Sequence, residues 1–182
     1  PNRIVILSAL LKDKGIQLAI EAIAELTETN PKLELHIIGE GPYESQLKIQ
    51  SEKLKVGGHV KFLGLMQPSE FIPYMSQCSF ALAPYLDNPD SITYYCDPTK
   101  IKEYLAAGLP VITTNVPWIA KEIKEKPMGI VIKYEKEALV KAIDKLITNK
   151  AFRTVCRKNA FEFMRNLNWD RIYSDALKQT LD

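Results

Sequence analysis

Residues 97–113, Asp97-Pro98-Thr99-Lys100-Ile101-Lys102-Glu103-Tyr104-Leu105-Ala106-Ala107-Gly108-Leu109-Pro110-Val111-Ile112-Thr113, hold a helix start, a helix stop and a return strand in one run. Asp97 can accept hydrogen bonds from the first helical amides. Pro98 has no N–H to leave unsatisfied, and Gly108 supplies the left-handed residue that ends a helix. A helix that returns so tightly into the β-branched run Val111–Thr113 is the αβ half of a βαβ unit with a buried parallel strand. Glu103 lies about a turn and a half into that helix, where a purely core-facing segment needs no carboxylate. The amides of Thr99 and Lys100, at the positive end of the helix dipole, suit an anion such as phosphate. Capping alone also accounts for Asp97, Pro98 and Gly108.

The same rhythm extends along the chain. Ile4–Leu7, Leu33–Ile38, Val60–Leu63, Phe80–Ala83, Val111–Thr113 and Ile130–Ile132 are short β-branched or aromatic runs that predict buried strands. Between them, Ile16, Ala19, Ile20, Ile23, Ala24 and Leu26 recur at helical spacing after Lys14-Gly15, and the pattern stops before Asn30-Pro31. Pro42–Leu54, Pro68–Ser76, Thr99–Ala107, Trp118–Ile123 and Glu135–Thr148 read as the other crossover helices. Ala151–Asn166 and Trp169–Leu181 add two terminal ones. The fold class is therefore α/β: a doubly wound, Rossmann-like parallel sheet with two extra C-terminal helices, forming one domain over residues 1–182. The stretch Tyr85–Cys96, with Asp87-Asn88-Pro89-Asp90, is longer than a plain connection and reads as a functional loop. Arg3–Leu7 opens the chain directly on a strand, as in a domain cut from a longer protein.

Composition narrows the class. The 182 residues are 46% hydrophobic and 25% charged, and 24 Lys and Arg against 22 Asp and Glu leave a net charge of +2. That is an ordinary globular balance with no basic footprint for nucleic acid. Cys78, Cys96 and Cys156 lack metal or redox spacing, which fits a reducing compartment and inert thiols. No apolar run reaches bilayer length, and no signal peptide opens the sequence.

In a doubly wound sheet, ligands bind beyond the carboxyl ends of the strands. The segments Ser8–Gly15, Gly39–Pro42, Gly64–Pro68, Tyr85–Asp97 and Thr114–Pro117 are thus expected to rim one crevice. Lys14, at the first loop-to-helix junction, suits a phosphate as a point charge, and Glu103 suits the neighbouring hydroxyls of a ribose. Taken singly, Lys14 reads as a solvated helix-start lysine, and Gly39 and Gly41 as turn residues. His36 and His59, in or beside strands, read as structural.

Lys14-Gly15, Ile38-Gly39-Glu40-Gly41-Pro42, Val60–Gly64, the run Lys100–Ile112 around Glu103 and the Trp169 segment resemble, in order and spacing, the nucleotide-sugar-binding C-terminal domain of retaining GT-B glycosyltransferases, the glycosyltransferases group 1 family. The resemblance implies transfer of a sugar from a nucleoside-diphosphate sugar to a glycan or lipid-linked acceptor. The acceptor would be held by an N-terminal domain absent from these residues. Lys14 would hold the diphosphate, Glu103 the ribose, the amides of Thr99 and Lys100 the distal phosphate, and the backbone around Gly39–Gly41 and Gly64–Leu65 the base. Lys14 and Lys100 would neutralise the leaving diphosphate, with no metal and no cofactor beyond the substrate. The isolated domain would not transfer, and the full-length protein would be cytoplasmic or peripheral at the inner face of a membrane. Ala9 stands where the family often has an arginine, and Tyr95 where it often has the first of two glutamates eight positions apart. These departures also fit a non-catalytic nucleotide-sugar-binding module, and a sugar-nucleotide epimerase domain shares the architecture. A dinucleotide oxidoreductase fits poorly, because Ser8–Lys12 lacks the glycine-rich turn.

Overall fold

The computed structural model describes residues 3–95 and 99–167. The Asp97-Pro98 cap, Cys96 and the helix expected from Trp169 to Leu181 lie outside them.

Six parallel strands form one sheet: β1 Arg3–Leu7, β2 Glu34–Ile38, β3 Val60–Phe62, β4 Phe80–Ala83, β5 Val111–Thr114 and β6 Gly129–Ile132. Their spatial order is β3-β2-β1-β4-β5-β6, all parallel, so chain direction across the sheet reverses between β1 and β4. The helices are α1 Ile16–Leu26, α2 Glu44–Lys53, α3 Pro68–Ser76, α4 Ile92–Tyr95, α5 Thr99–Ala106, α6 Ile119–Glu125, α7 Lys136–Thr148 and α8 Lys150–Asn166. The expected doubly wound α/β class is what the chain adopts.

Strand alternation divides the core. Ile4 and Ile6 of β1 pack with Leu35, Ile37, Phe80 and Leu82 beneath α1 and α7, whereas Val5 and Leu7 pack with Ile38, Ala81 and Ala83 beneath α3, α5 and α6. Both faces are apolar because helices cover both, which is why the strands read as unbroken hydrophobic runs.

Three expectations shift. The second predicted helix starts at Glu44, not Pro42, because the Tyr43 amide donates to the Leu10 carbonyl (3.0 Å) and ties the helix entry to the first loop. The Tyr85–Cys96 stretch is not wholly irregular. Asn88 Oδ1 accepts from the Asp90 amide (3.0 Å), the chain turns, and the short α4 follows Ser91. Lys12–Lys14 forms a 3₁₀ turn ahead of α1 that the periodicity does not show.

Candidate functional site

The sheet opens where its order reverses. β1 pairs with β2 as far as Leu7 and Ile38, but with β4 only at Ile4–Phe80 and Val5–Ala81. Past Val5 the two strands part, and a side chain supplies the missing bonds. The Leu7 amide donates to Tyr104 Oη (2.5 Å), and the same hydroxyl donates to the Leu7 carbonyl (3.1 Å). Tyr104 is fully buried, and burial, with Tyr85 as the second cause, drives its phenol pKa well above the usual value. It is therefore a neutral two-way tie that pins α5 to the end of β1. On the β4 side, the buried hydroxyls of Thr113 and Thr114 donate to the carbonyls of Ala83 (2.8 Å) and Tyr85 (2.7 Å), fixing the strand's exit.

Beside this opening, over the carboxyl ends of β1, β2 and β3, lies a cavity of about 200 Å³, lined by Leu7, Ser8 and Ala9 at the end of the first, Ile38, Gly39 and Glu40 at the end of the second, Leu65 and Met66 after the third, Phe71 of α3 and Lys100 of α5. Larger clefts lie elsewhere, between α1, α2 and α7 (about 700 Å³), near the end of α8 (about 580 Å³) and along β6 (about 500 Å³). None of them borders the switch point, where doubly wound sheets bind ligands.

Gly39, Leu65 and Lys100 thus wall the cavity, as the sequence reading placed them. Gly41 and Gly64 sit in the adjoining loops. A Cβ on Gly39 would lie 2.0 Å from the Ser8 carbonyl oxygen, and one on Gly41 2.4 Å from that of Leu10. Close packing of the first two loops accounts for both glycines. Thr99 opens α5 beside Lys100. Neither the Thr114–Pro117 segment nor the described residues of Tyr85–Asp97 line this cavity, so three of the five expected loops meet there, joined by α3 and α5; Lys14, at the end of the first of those loops, lies off the cavity.

Lys100 lines the cavity, and Glu103, paired with it on α5, does not. Lys100 Nζ lies 3.1 Å from Glu103 Oε2 and 5.5 Å from the centre of the Phe71 ring. Lys100 Nζ donates to Glu103 Oε1 (3.4 Å), while the buried Oε2 accepts no hydrogen bond among the described residues. A carboxylate oxygen in that state has unused acceptor capacity, which a pair of hydroxyl donors would satisfy.

Lys14 sits on the β4 side of the opening. Its ammonium is 3.6 Å from Asp13 Oδ2 and 5.7 Å from the centre of the Tyr85 ring, with the side chain only 17% exposed. Asp13 also accepts from Ser91 Oγ (2.5 Å), and its carbonyl accepts from the Leu86 amide (3.0 Å). The sequence reading did not single out Tyr104, Asp13, Ser91, Thr113 or Thr114. A tyrosine on an apolar helix face and two threonines closing a buried strand were the only signals.

Ala9 is exposed at the cavity rim, and Tyr95 is 74% exposed at the end of α4. Both histidines are engaged structurally. His59 Nδ1 contacts the Leu33 carbonyl (2.9 Å), and His36 lies between Tyr74 Oη and Glu34 Oε2. Cys78 and Cys156 are buried, and burial pushes each thiol up to about 11. They are poor nucleophiles at neutral pH. Among the described residues, no helix is long and apolar enough to cross a membrane.

An α/β domain of this topology, with a cavity at the carboxyl ends of its strands, is a doubly wound, Rossmann-like domain. Residues 1–163 match the model of the family "Glycosyl transferases group 1", and the chain belongs to that family. It is 31% identical over 123 residues to the alpha-monoglucosyldiacylglycerol synthase of Streptococcus pneumoniae, covering 68% of this chain and 26% of that protein. It is 30% identical over 129 residues to the amylovoran biosynthesis glycosyltransferase AmsK of Erwinia amylovora, covering 71% and 31%. The chain thus spans about a quarter to a third of the curated relatives it matches. Among solved structures, the pneumococcal O-GlcNAc transferase GtfA in complex with UDP and GlcNAc superposes with a TM-score of 0.81 at 20% identity, over 98% of this chain and 35% of that one. Anabaena HepE in complex with UDP and glucose gives 0.80 at 20% identity, over 99% and 48%. These likenesses establish the fold.

Proposed function

We propose that this chain is the donor-binding domain of a retaining glycosyltransferase, taking a nucleoside-diphosphate sugar and serving an acceptor held by another domain. The observation that carries the reading is the buried Glu103 oxygen without a hydrogen bond among the described residues, paired with Lys100, which lines the cavity at the carboxyl ends of the strands. The UDP and sugars named with GtfA and HepE support the donor class. The diacylglycerol in the name of the pneumococcal relative supports a lipid or lipid-linked acceptor.

In this reading Glu103 accepts from the ribose hydroxyls, and the base lies against the backbone of Gly39–Gly41 and Gly64–Leu65. As the donor's glycosidic bond breaks, the sugar gains oxocarbenium character and negative charge grows on the distal phosphate. Lys14, Lys100 and the amides of Thr99 and Lys100 meet that charge. Donors fixed in advance at such a position lower a barrier by about 3 kcal/mol each. Neither a metal nor a second cofactor enters this scheme. Without the acceptor half the reacting atoms are not brought together, so residues 1–182 alone bind but do not transfer.

The test is calorimetry with UDP, GDP and ADP and the matching nucleosides, without added metal. Lys14→Ala weakens diphosphate binding far more than nucleoside binding. Glu103→Ala weakens both by about tenfold, and the loss shrinks for a 2′,3′-dideoxynucleotide, which lacks the diol. Equal losses for diol and dideoxy ligands remove the ribose assignment, and no binding of any nucleotide removes the donor site. Ala9 and Tyr95 favour a second reading, a binding module without catalysis, which transfer by the full-length protein would exclude.

A further inference from the structure

Asp13 is built into the opening from two directions. Its carboxylate Oδ2 is shared between the Lys14 ammonium at 3.6 Å and the Ser91 hydroxyl at 2.5 Å, while its carbonyl holds the Leu86 amide at 3.0 Å. Leu86 and Ser91 belong to the β4–α5 connection, whereas Asp13 and Lys14 belong to the turn after β1. One residue therefore joins the segments flanking the point where β1 and β4 part. The backbones are close here as well, since a Cβ on Gly15 would lie 1.8 Å from the Pro84 carbonyl oxygen.

The chemistry of lysine gives this junction a consequence. A lysine stem has four rotatable carbons, and freezing them on a ligand costs about 2 kcal/mol in rotamer entropy. An ammonium beside a carboxylate and over an aromatic ring has lost part of that freedom beforehand. Its three N–H donors let one ammonium contact a carboxylate and a phosphate together. Asp13 therefore acts as a support and not only as a competitor, and its grip on Ser91 ties the lysine's placement to the docking of the β4–α5 connection. We propose that Asp13 is a positioning residue that pre-sets Lys14 for the diphosphate and, through Ser91, latches the β4–α5 connection to the β1 turn. The diphosphate half of this statement rests on the donor-site reading above; the latch does not.

Three variants separate the parts. Asp13→Asn keeps an acceptor for Ser91 and removes the charge beside Lys14. Ser91→Ala removes the latch and leaves the charge. Asp13→Ala removes both. Two measurements are made on each: the ratio of UDP to uridine affinity, which isolates the phosphate contribution, and hydrogen exchange at the Asn88 and Ser91 amides. Asp13→Asn is expected to lower the affinity ratio about fivefold with exchange close to wild type. Ser91→Ala is expected to speed exchange about tenfold, and Asp13→Ala to do both, with Asp13→Ala/Ser91→Ala no worse than Asp13→Ala alone. A ratio that stays within twofold or rises in Asp13→Asn overturns the support role. Unchanged exchange in Ser91→Ala overturns the latch. If the wild type binds none of UDP, GDP and ADP, the donor-site reading fails, and exchange alone decides the latch.

Discussion

Helices α1 and α5 both start from the carboxyl edge of the sheet and cover opposite faces of it, but they are made differently. Seven of the eleven residues of α1 are buried, and its entry at Gly15 is pressed against the Pro84 carbonyl. Only Ile101, Tyr104 and Leu105 of the eight residues of α5 are buried, and its remaining surface carries Lys100 to the cavity with Glu103 paired to it. α1 is a packing element whose start is filled by the protein itself. α5 is held at fewer points, and one of them is a hydroxyl. Where hydrophobic contact is reduced, a specific polar tie must fix position, and that tie is Tyr104 at Leu7.

The largest expected effect breaks the α1 side of this contrast. Gly15 has φ 71°, and an added Cβ would meet Pro84 backbone, which cannot swing away as a side chain can. Gly15→Ala should therefore cost about 3 kcal/mol or more in denaturant unfolding, combining left-handed strain with overpacking. A loss below about 1 kcal/mol would show that the two loops are not in rigid contact.

Tyr104→Phe tests the α5 side. It keeps the ring in the core and removes the bonds to both backbone groups of Leu7, and leaving those groups buried and unpaired costs about 2 kcal/mol. If the tie also places Glu103, this variant should reduce discrimination between UDP and its 2′,3′-dideoxy analogue. Gly15→Ala, acting on the opposite face, should leave that discrimination alone. Gly108, with φ 68° at the end of α5, has nothing within 4 Å of an added Cβ. Gly108→Ala should cost only the left-handed strain, about 1 kcal/mol. The two glycines share a backbone conformation and differ in their surroundings, so equal losses would erase the contrast.

The smallest effect lies far from the opening and serves as its control. His36 satisfies both neighbours in the neutral form, accepting a hydrogen bond from the Tyr74 hydroxyl at Nδ1 and donating from Nε2 to Glu34 (3.1 Å). Burial lowers its pKa from 6.5, with Arg3 and Lys61 acting in the same direction and Glu34 opposing them. The unfolded chain thus takes up this proton more readily than the folded one. The contribution is fully present above the unfolded pKa and is lost as pH falls through it. Thermal unfolding should show a drop in Tm from about pH 7 to pH 5 that is shallower in His36→Gln. Nucleotide affinity per folded molecule should not follow it.

The readable parts of the sequence were those with a repeating physical cause. α1 was legible because Ile16, Ile20 and Ile23 must share one face, and β4 because Phe80–Ala83 is buried on both sides. Glu103 was legible for the opposite reason, as a carboxylate breaking such a pattern. Tyr104 was not, because tyrosine is common on half-apolar helices and its hydroxyl partner lies 97 residues away. Asp13 was hidden in the same way, since Lys-Asp-Lys reads as a solvated turn until Ser91 is brought onto it across 78 residues.

What the sequence determined by itself was local and periodic: six strands, buried at the centre of the sheet and half-exposed at its β3 and β6 edges, their crossover helices, and the polar residues that interrupt them. Those follow from neighbours a few positions apart, where side-chain period and backbone geometry act directly. What only the tertiary structure decided was which of the expected loops meet. Lys100 lines the cavity beyond β1, β2 and β3, while Lys14 lies beside Asp13 and Tyr85 on the β4 side of β1. That choice depends on contacts between residues distant in the chain, and such contacts carry no period that a reading along the sequence can detect.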